Sequence, residues 1–201
     1  MNARIDWHYP EPREGLAGAW DQFIGPGATR AEVLLQLAAA VAAPLALLIY
    51  ARAVGIGWSP VQTIVALLLA FDLAGGVVTN ATSSAKRWYH RAGQGFWQHL
   101  LFIAVHVHPF VVAWLFRDGD WVFAVVLYGY LLAAAVIVLR VPLYLQRPTA
   151  LILFCGALLL NSYVFPPTPG LEWFVPLFYL KLLVSHLLRE EPYRPAGGSS
   201  P

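Results

Sequence analysis

Charged side chains are scarce in this chain of 201 residues, because only 12% are Asp, Glu, Lys or Arg while 59% are hydrophobic. Soluble domains carry about 25% charged residues, so this composition excludes an ordinary soluble globular domain. The formal net charge is only +2, which gives no reason to expect a nucleic-acid partner. Long apolar runs between short polar segments instead indicate several passages through a lipid bilayer.

Cysteine is almost absent, and so are the familiar catalytic motifs. Cys155 is the single cysteine, which excludes an internal disulfide and a metal site built from cysteines alone. The chain contains no HExxH, GxSxG, CxxC or P-loop motif, so no short pattern identifies a reaction. Any chemistry has to be sought in the isolated polar residues of the apolar segments.

Six apolar segments have close to the 20 or so residues that a membrane-spanning helix needs. Thr29 and Glu32 have the capping-box spacing that starts a helix, and Pro166 and Pro167 close the fifth segment. The pattern predicts an all-α fold, a polytopic integral membrane protein. Residues 1–30 form a short N-terminal segment, residues 31–188 a six-transmembrane-helix bundle, and residues 189–201 a flexible tail. The predicted spans are 31–52, 59–80, 96–116, 121–139, 149–165 and 171–188.

The basic residues predict the orientation of this bundle, because cytoplasmic loops of membrane proteins are enriched in Lys and Arg. Arg52 and Arg117 lie on one predicted side, and Lys181 lies inside the sixth span. The remaining ten of the 13 basic residues lie on the other side, so both termini are predicted to be cytoplasmic in a cell-membrane protein. These ten are Arg4, Arg13, Arg30, Lys86, Arg87, Arg91, Arg140, Arg147, Arg189 and Arg194.

The N-terminal segment contains a short apolar stripe. Leu16, Trp20, Phe23 and Ile24 fall at helical spacing, which fits a helix lying along the membrane surface. A loop that caps the helix ends explains the same residues, and both interpretations stay open.

Asp72 and Lys181 are the two charged residues within the predicted spans. A charge inside a bilayer costs roughly 3 kcal/mol on insertion scales, so such residues usually pair or serve a function. Small and polar residues, Gly76 and Asn80 among them, share a helical face with Asp72. An ion pair with Lys181 that only joins two helices is one interpretation. A carboxylate beside a cation in a polar pocket is the other, and the small polar face favours it.

Four histidines accompany this carboxylate in the predicted cytoplasmic half. His99 and His106 are seven residues apart and share a helical face. A regular helix would point His108 nearly opposite to His106, but Pro109 can kink the helix there and leaves this placement open. Neutral imidazoles with one carboxylate suit zinc or iron(II), and without a metal they suit proton transfer. The predicted catalytic residues are Asp72, His99, His106 and His186. The predicted metal ligands are His90, His99, His106, His186 and Asp72, with haem b as the less favoured cofactor.

Lys86, Arg87 and Arg91 form a basic loop after the second span. They fit the orientation rule alone, or they bind an anionic headgroup through arginine forks above the pocket. In the second interpretation the residues that bind substrate are Asn80, Lys86, Arg87, Arg91 and Lys181.

The leading functional hypothesis is a membrane-embedded enzyme that acts on a lipid or another apolar substrate, with or without a metal. The alternative is a small proton-coupled transporter or carrier, and two further alternatives are a haem-b electron carrier and a structural or assembly protein. Membrane lipids are the expected partners, and a homo-oligomer is left open.

Overall fold

The computed structural model describes residues 3–195. Apart from two strands of three residues each, its regular elements are helices, as the sequence predicts. Helix α9 (Phe174–Tyr179) continues into a π-helical segment (Leu180–His186), called the π segment, and the two together are called the last helix. The elements are β1 (Ala3–Ile5), α1 (Gly15–Ile24), α2 (Arg30–Ala53), α3 (Pro60–Ala81), α4 (Ser83–Tyr89), α5 (Phe96–Ala104), α6 (His108–Phe116), α7 (Trp121–Arg140), α8 (Leu143–Val164), α9 (Phe174–Tyr179), the π segment (Leu180–His186) and β2 (Tyr193–Pro195).

Two long helices begin at capping boxes. At α2, the Glu32 backbone N–H donates to Thr29 Oγ1 at 3.2 Å, and the Thr29 N–H donates to the Glu32 carboxylate at 2.7 Å. At α3, Ser59 and Gln62 make the same reciprocal pair. These bonds satisfy N–H groups that a helix start leaves without partners.

Five helices are long and apolar enough to cross a membrane, which is compatible with a multi-pass membrane protein. They are α2, α3, α7, α8 and the stretch Phe96–Phe116. Large apolar side chains project from the outer faces of these helices, for example Leu34, Ile49, Leu68, Val122 and Ile152. Exposed apolar stripes of this length indicate a membrane location.

The sixth predicted span differs from the other five. The last helix, Phe174–His186, is shorter than a typical span, and its side chains are mostly buried rather than exposed, including Phe178, Tyr179 and Leu182. A helix that is buried on most of its sides lies in the interior of a bundle. It packs among α3, α7 and α8 and forms the core with them.

The third predicted span is broken. Helix α5 ends at Ala104 and α6 begins at His108, with Pro109 in its first turn. The break leaves carbonyls without their helical partners, and side chains bind them: the Tyr128 hydroxyl donates to the Ala104 carbonyl at 2.6 Å. The fifth span, predicted at 149–165, begins earlier in the structure, because α8 begins at Leu143 and continues through Pro148.

The two ends of the described chain meet. Strands β1 and β2 pair antiparallel, with Arg4 opposite Arg194. Helix α1 packs on α4 where Gly25 contacts the Ser84 backbone, and the Ser84 hydroxyl donates to the Ile24 carbonyl. Residues 193–195 therefore form a strand within the predicted flexible tail, because β1 supplies partners for their backbone hydrogen bonds. Residues 196–201 of that predicted tail lie outside the described residues.

Candidate functional site

The mid-span cluster consists of Asp72, His106, His108 and Lys181, near the middle of α3. Lys181 Nζ donates to Asp72 Oδ2 at 2.6 Å, and His108 Nε2 lies 3.2 Å from the same oxygen. The Lys181 side chain is only 4% exposed, whereas that of Asp72 is 44% exposed. Asp72 adjoins the exposed α3 residues Leu68 and Phe71. The pair thus has a buried cation and a carboxylate with one side open.

Two backbone features bring Lys181 to Asp72. Gly76 lies against the lysine, so that a Cβ there would stand 2.4 Å from Lys181 Cε. The π segment carries Lys181 and His186, five residues apart, and i→i+5 bonding places such residues one turn apart. Both therefore face α3, where Lys181 meets Asp72 and His186 meets Asn80.

The helix break determines the placement of His108, which Pro109 left open in the sequence. In a regular helix this ring would point away from His106, but here the two rings stack with centroids 5.3 Å apart. His106 Nδ1–H donates to the Phe102 carbonyl at 2.6 Å, because that carbonyl has lost its usual helical partner. A neutral His106 then keeps Nε2 as a free proton acceptor.

The α4-side cluster consists of Asn80, His90, His99 and His186, between the mid-span cluster and α4. His99 Nδ1 lies 3.2 Å from His186 Nε2, and His186 Nδ1 lies 3.4 Å from Asn80 Oδ1. If His186 donates to the amide oxygen, its Nε2 accepts the proton of His99. His90 Nε2–H donates to the His186 carbonyl at 3.0 Å. The order of donors runs from His99 through His186 and ends at Asn80, which cannot pass a proton on.

Phe102 separates the two clusters. Its ring stacks on His186 with centroids 3.8 Å apart and lies 4.7 Å from the His106 ring. An apolar ring at this position offers no proton carrier between His186 and His106. Each cluster is therefore a separate hydrogen-bonded set in this structure.

His90 lies outside the spanning helices, and its environment holds it neutral. Burial is the main cause that lowers its pKa to about 3, and the nearby His99 and Lys86 act in the same direction. The hydrogen bond to the His186 carbonyl opposes the shift. An imidazole with so low a pKa is uncharged at neutral pH, as a metal ligand or a relay residue must be.

The five predicted metal ligands divide between the two clusters. Asp72 and His106 belong to the mid-span cluster, and the other three belong to the α4-side cluster. Within residues 3–195, no three His, Cys, Asp or Glu side chains are grouped to hold a metal ion. A zinc or iron site would need the rings of His90, His99 and His186 to turn. The direct contact between His99 and His186 also leaves no space for a porphyrin between them.

The predicted headgroup residues of the loop have other contacts. Lys86, only 2% exposed, donates to the carbonyls of Ser185 and Leu188 at 2.6 Å each, so it caps the end of the last helix. Its pKa is lowered to about 8, mainly by burial. Arg87 is buried under the strands, and Arg91 stacks on Trp88. Neither Lys86 nor Arg87 is open to a headgroup here.

Sequence reasoning left two members of the site out of the predicted residues. A regular helix would turn His108 away from His106, and the kink that Pro109 can cause left its placement open. Phe102 was treated as one more apolar residue, and nothing in its local sequence marks its position between two histidines. Asp72, His99, His106, Lys181 and His186 do lie in the two clusters, and Asn80 hydrogen-bonds to His186.

Comparisons of this chain with protein-family models, with curated proteins and with solved structures found no match. Its function is therefore argued from the two clusters and their surroundings.

Proposed function

We propose that the protein is a membrane-embedded enzyme that performs acid–base chemistry on a lipid or another apolar substrate at Asp72. The observation that carries the proposal is the half-open ion pair. Lys181 is buried at 4% exposure, but 44% of the Asp72 side chain is accessible beside the lipid-facing residues of α3. A pair that only joined helices would gain from burying both partners, since an exposed charge in a bilayer is costly.

The contacts around Asp72 assign roles in such a reaction. Lys181 and His108 both bind Oδ2, which leaves Oδ1 as the oxygen for a substrate proton. The ammonium of Lys181 stabilises the carboxylate before the reaction, and either neighbour can return a proton afterwards. His106, whose Nδ1 binds Phe102, offers Nε2 as a second acceptor. Asp72 and His106 are the proposed catalytic residues of this cluster, and Lys181 and His108 position and polarise Asp72.

His99 and His186 of the α4-side cluster are also proposed acid–base residues, and proton exchange with the mid-span cluster requires the Phe102 ring to move aside. A zinc or iron ion bound by His90, His99 and His186 is a hypothesis that elemental analysis of the untagged protein tests. Membrane lipids are the proposed partners, and a homo-oligomer stays a prediction.

The proposed orientation has six crossings with both ends of the chain in the cytoplasm. Two observations support it: the ten-to-two distribution of basic residues, and the pairing of β1 with β2, which requires an even number of crossings. Single cysteines at Glu11, Ala92 and Gly57 in a Cys155→Ala background test it with a membrane-impermeant maleimide. In intact cells only Gly57→Cys should react, and labelling of Glu11→Cys would contradict the orientation.

The test of the enzyme proposal is Asp72→Asn, which keeps the side-chain shape and removes the negative charge. Membranes that contain wild type, Asp72→Asn or Asp118→Asn are incubated with isotope-labelled lipid extract, and products are identified by mass spectrometry. Asp118 is an exposed acid in the turn between α6 and α7 and serves as the matched control. Product formation should fall at least a hundredfold in Asp72→Asn alone. Full turnover in Asp72→Asn would disprove the proposal.

A proton-coupled carrier is the second candidate, and the packing of three imidazoles favours it: the His90 ring lies 4.6 Å from that of His99, and His99 Nδ1 lies 3.2 Å from His186 Nε2. Against it, the bundle beyond the mid-span cluster is lined by apolar residues such as Phe174 and Phe178. Proton flux into liposomes that depends on Asp72, with no turnover of lipid, would favour the carrier over the enzyme.

A further inference from the structure

A polar cavity opens where α3 ends, α8 begins and the last helix ends. Two adjoining depressions of about 510 and 290 Å³ share Arg147, Arg189 and Glu190. The larger one is also lined by Lys86 and Glu191. None of these residues belongs to the mid-span or the α4-side cluster, so the cavity is a separate place in the molecule.

The cavity contains charges of both signs. Arg147 Nη2 binds Glu190 Oε1 at 2.8 Å, with 67% of the arginine side chain exposed. Lys86 Nζ lies 3.8 Å from the other Glu190 oxygen, and Glu191 accepts a hydrogen bond from the Tyr193 hydroxyl. Arg189 is exposed, with its guanidinium 4.7 Å from the Trp7 ring. Two arginines and two glutamates therefore line the cavity, and Arg147, Arg189 and Glu191 are exposed there.

The rim of the cavity is apolar on the α8 side. Leu143 and Tyr144 line the smaller depression, and they are 57% and 79% exposed. The exposed stripe of α8 continues from there through Leu151 and Ile152. A polar floor beside an apolar helix face at the end of several long apolar helices matches the boundary between headgroups and acyl chains.

We propose that this cavity binds the headgroup of a zwitterionic phospholipid with a primary amine, of the phosphoethanolamine type. Arg147 and Arg189 bind the phosphate oxygens through their guanidinium forks. Glu190 and Glu191 accept hydrogen bonds from the ammonium group, and the acyl chains lie along Leu143 and Tyr144. A purely anionic headgroup would leave two carboxylates facing its negative charge. The proposal does not depend on chemistry at Asp72.

The test measures lipid retained by the purified full chain. Wild type, the double variant Arg147→Gln/Arg189→Gln and the variant Arg140→Gln are reconstituted in nanodiscs with equal amounts of phosphatidylethanolamine, phosphatidylglycerol and phosphatidylcholine. After extraction into mild detergent, the retained lipids are quantified by mass spectrometry. Arg140 lies at the end of α7 over Phe96, outside the cavity, and is the matched control.

Wild type and Arg140→Gln should retain phosphatidylethanolamine preferentially, and the double variant should retain at least fivefold less. Because exposed ion pairs contribute little to stability, the double variant should keep its thermal unfolding midpoint. A separate Glu191→Gln variant should lose the preference over phosphatidylglycerol. Equal retention by all variants would overturn the proposal, and so would selective retention of phosphatidylglycerol or displacement of the lipid by millimolar inorganic phosphate. None of these readouts involves the reaction at Asp72, so each proposal can fail without the other.

Discussion

The mid-span cluster and the α4-side cluster lie side by side along α3 and the π segment, but their polar side chains are stabilised inside the bundle in different ways. The first pairs full charges, with Lys181 bound to Asp72 at 2.6 Å. The second uses uncharged imidazoles and an amide, joined by hydrogen bonds of 3.0 to 3.4 Å. A charged pair is sensitive to the loss of either partner, while a neutral set is sensitive to any added proton. The difference predicts which change should damage each cluster.

The largest effect is expected for Lys181→Met, which leaves the Asp72 charge inside the bundle without its cation. Breaking a buried pair costs 3–5 kcal/mol, and the open side of Asp72 reduces this to about 3 kcal/mol. Denaturant unfolding in detergent micelles measures the loss. The double variant Asp72→Asn/Lys181→Met removes both charges and should regain most of it. If Lys181→Met alone unfolds like wild type, the pair does not stabilise the bundle.

A smaller loss is expected for Gly76→Ala, which changes no charge. The new methyl group would stand 2.4 Å from Lys181 Cε and should push the amine away from Asp72. Crowding of this kind costs about 1–3 kcal/mol. Gly129→Ala in α7 is the control, because a Cβ there meets no atom within 4 Å. Equal unfolding midpoints for the two variants would show that Lys181 moves aside without cost.

Acid should weaken the α4-side cluster through His90. Its pKa is about 3 in the folded protein and near 6.5 when unfolded, so the unfolded chain binds more protons between these values. The contribution of His90 is complete above pH 6.5 and is lost as the pH falls towards 3, on the order of 1 kcal/mol per pH unit. His90→Gln does not titrate and should unfold with a shallower pH dependence. An unchanged slope in His90→Gln would contradict this role.

The smallest effect is expected for Asn80→Ala. The bond from His186 to the amide is long at 3.4 Å, so its loss should cost about 0.5–1.5 kcal/mol. Asn161→Ala in α8 is the control for removing an amide from a long apolar helix. If the Asp72 reaction slows in Asn80→Ala while stability is kept, the two clusters are coupled despite Phe102.

The long helices could be predicted from the sequence because apolar length and caps are local signals. Helix α3 was predicted at 59–80 and runs from Pro60 to Ala81, and α7 was predicted at 121–139 and ends at Arg140. The central position of the last helix could not be predicted in this way. Its sequence is apolar enough for a span, and only packing against α3, α7 and α8 shows that it lies inside the bundle.

The sequence identified most residues of the candidate site, but it did not predict how they are arranged. Asp72, Lys181 and the histidines stand out because polar groups in apolar segments are rare. The division into two clusters depends on the break before Pro109 and on the π segment, and neither follows from periodicity. In one of the two interpretations of the basic loop, Lys86 binds an anionic headgroup above the pocket. Its long side chain instead reaches the carbonyls of Ser185 and Leu188.

The late position of the central helix in the chain has a consequence for biosynthesis. A chain is synthesised from its N-terminus, so α2 to α8 are made before the segment that fills their centre. Until then Asp72 has no Lys181, which follows it by 109 residues, and Lys86 has no carbonyls to cap. At that stage the carboxylate of Asp72 lies among apolar helices without its cation. Asp72 and Lys86 can reach their partners only after the last helix has been made.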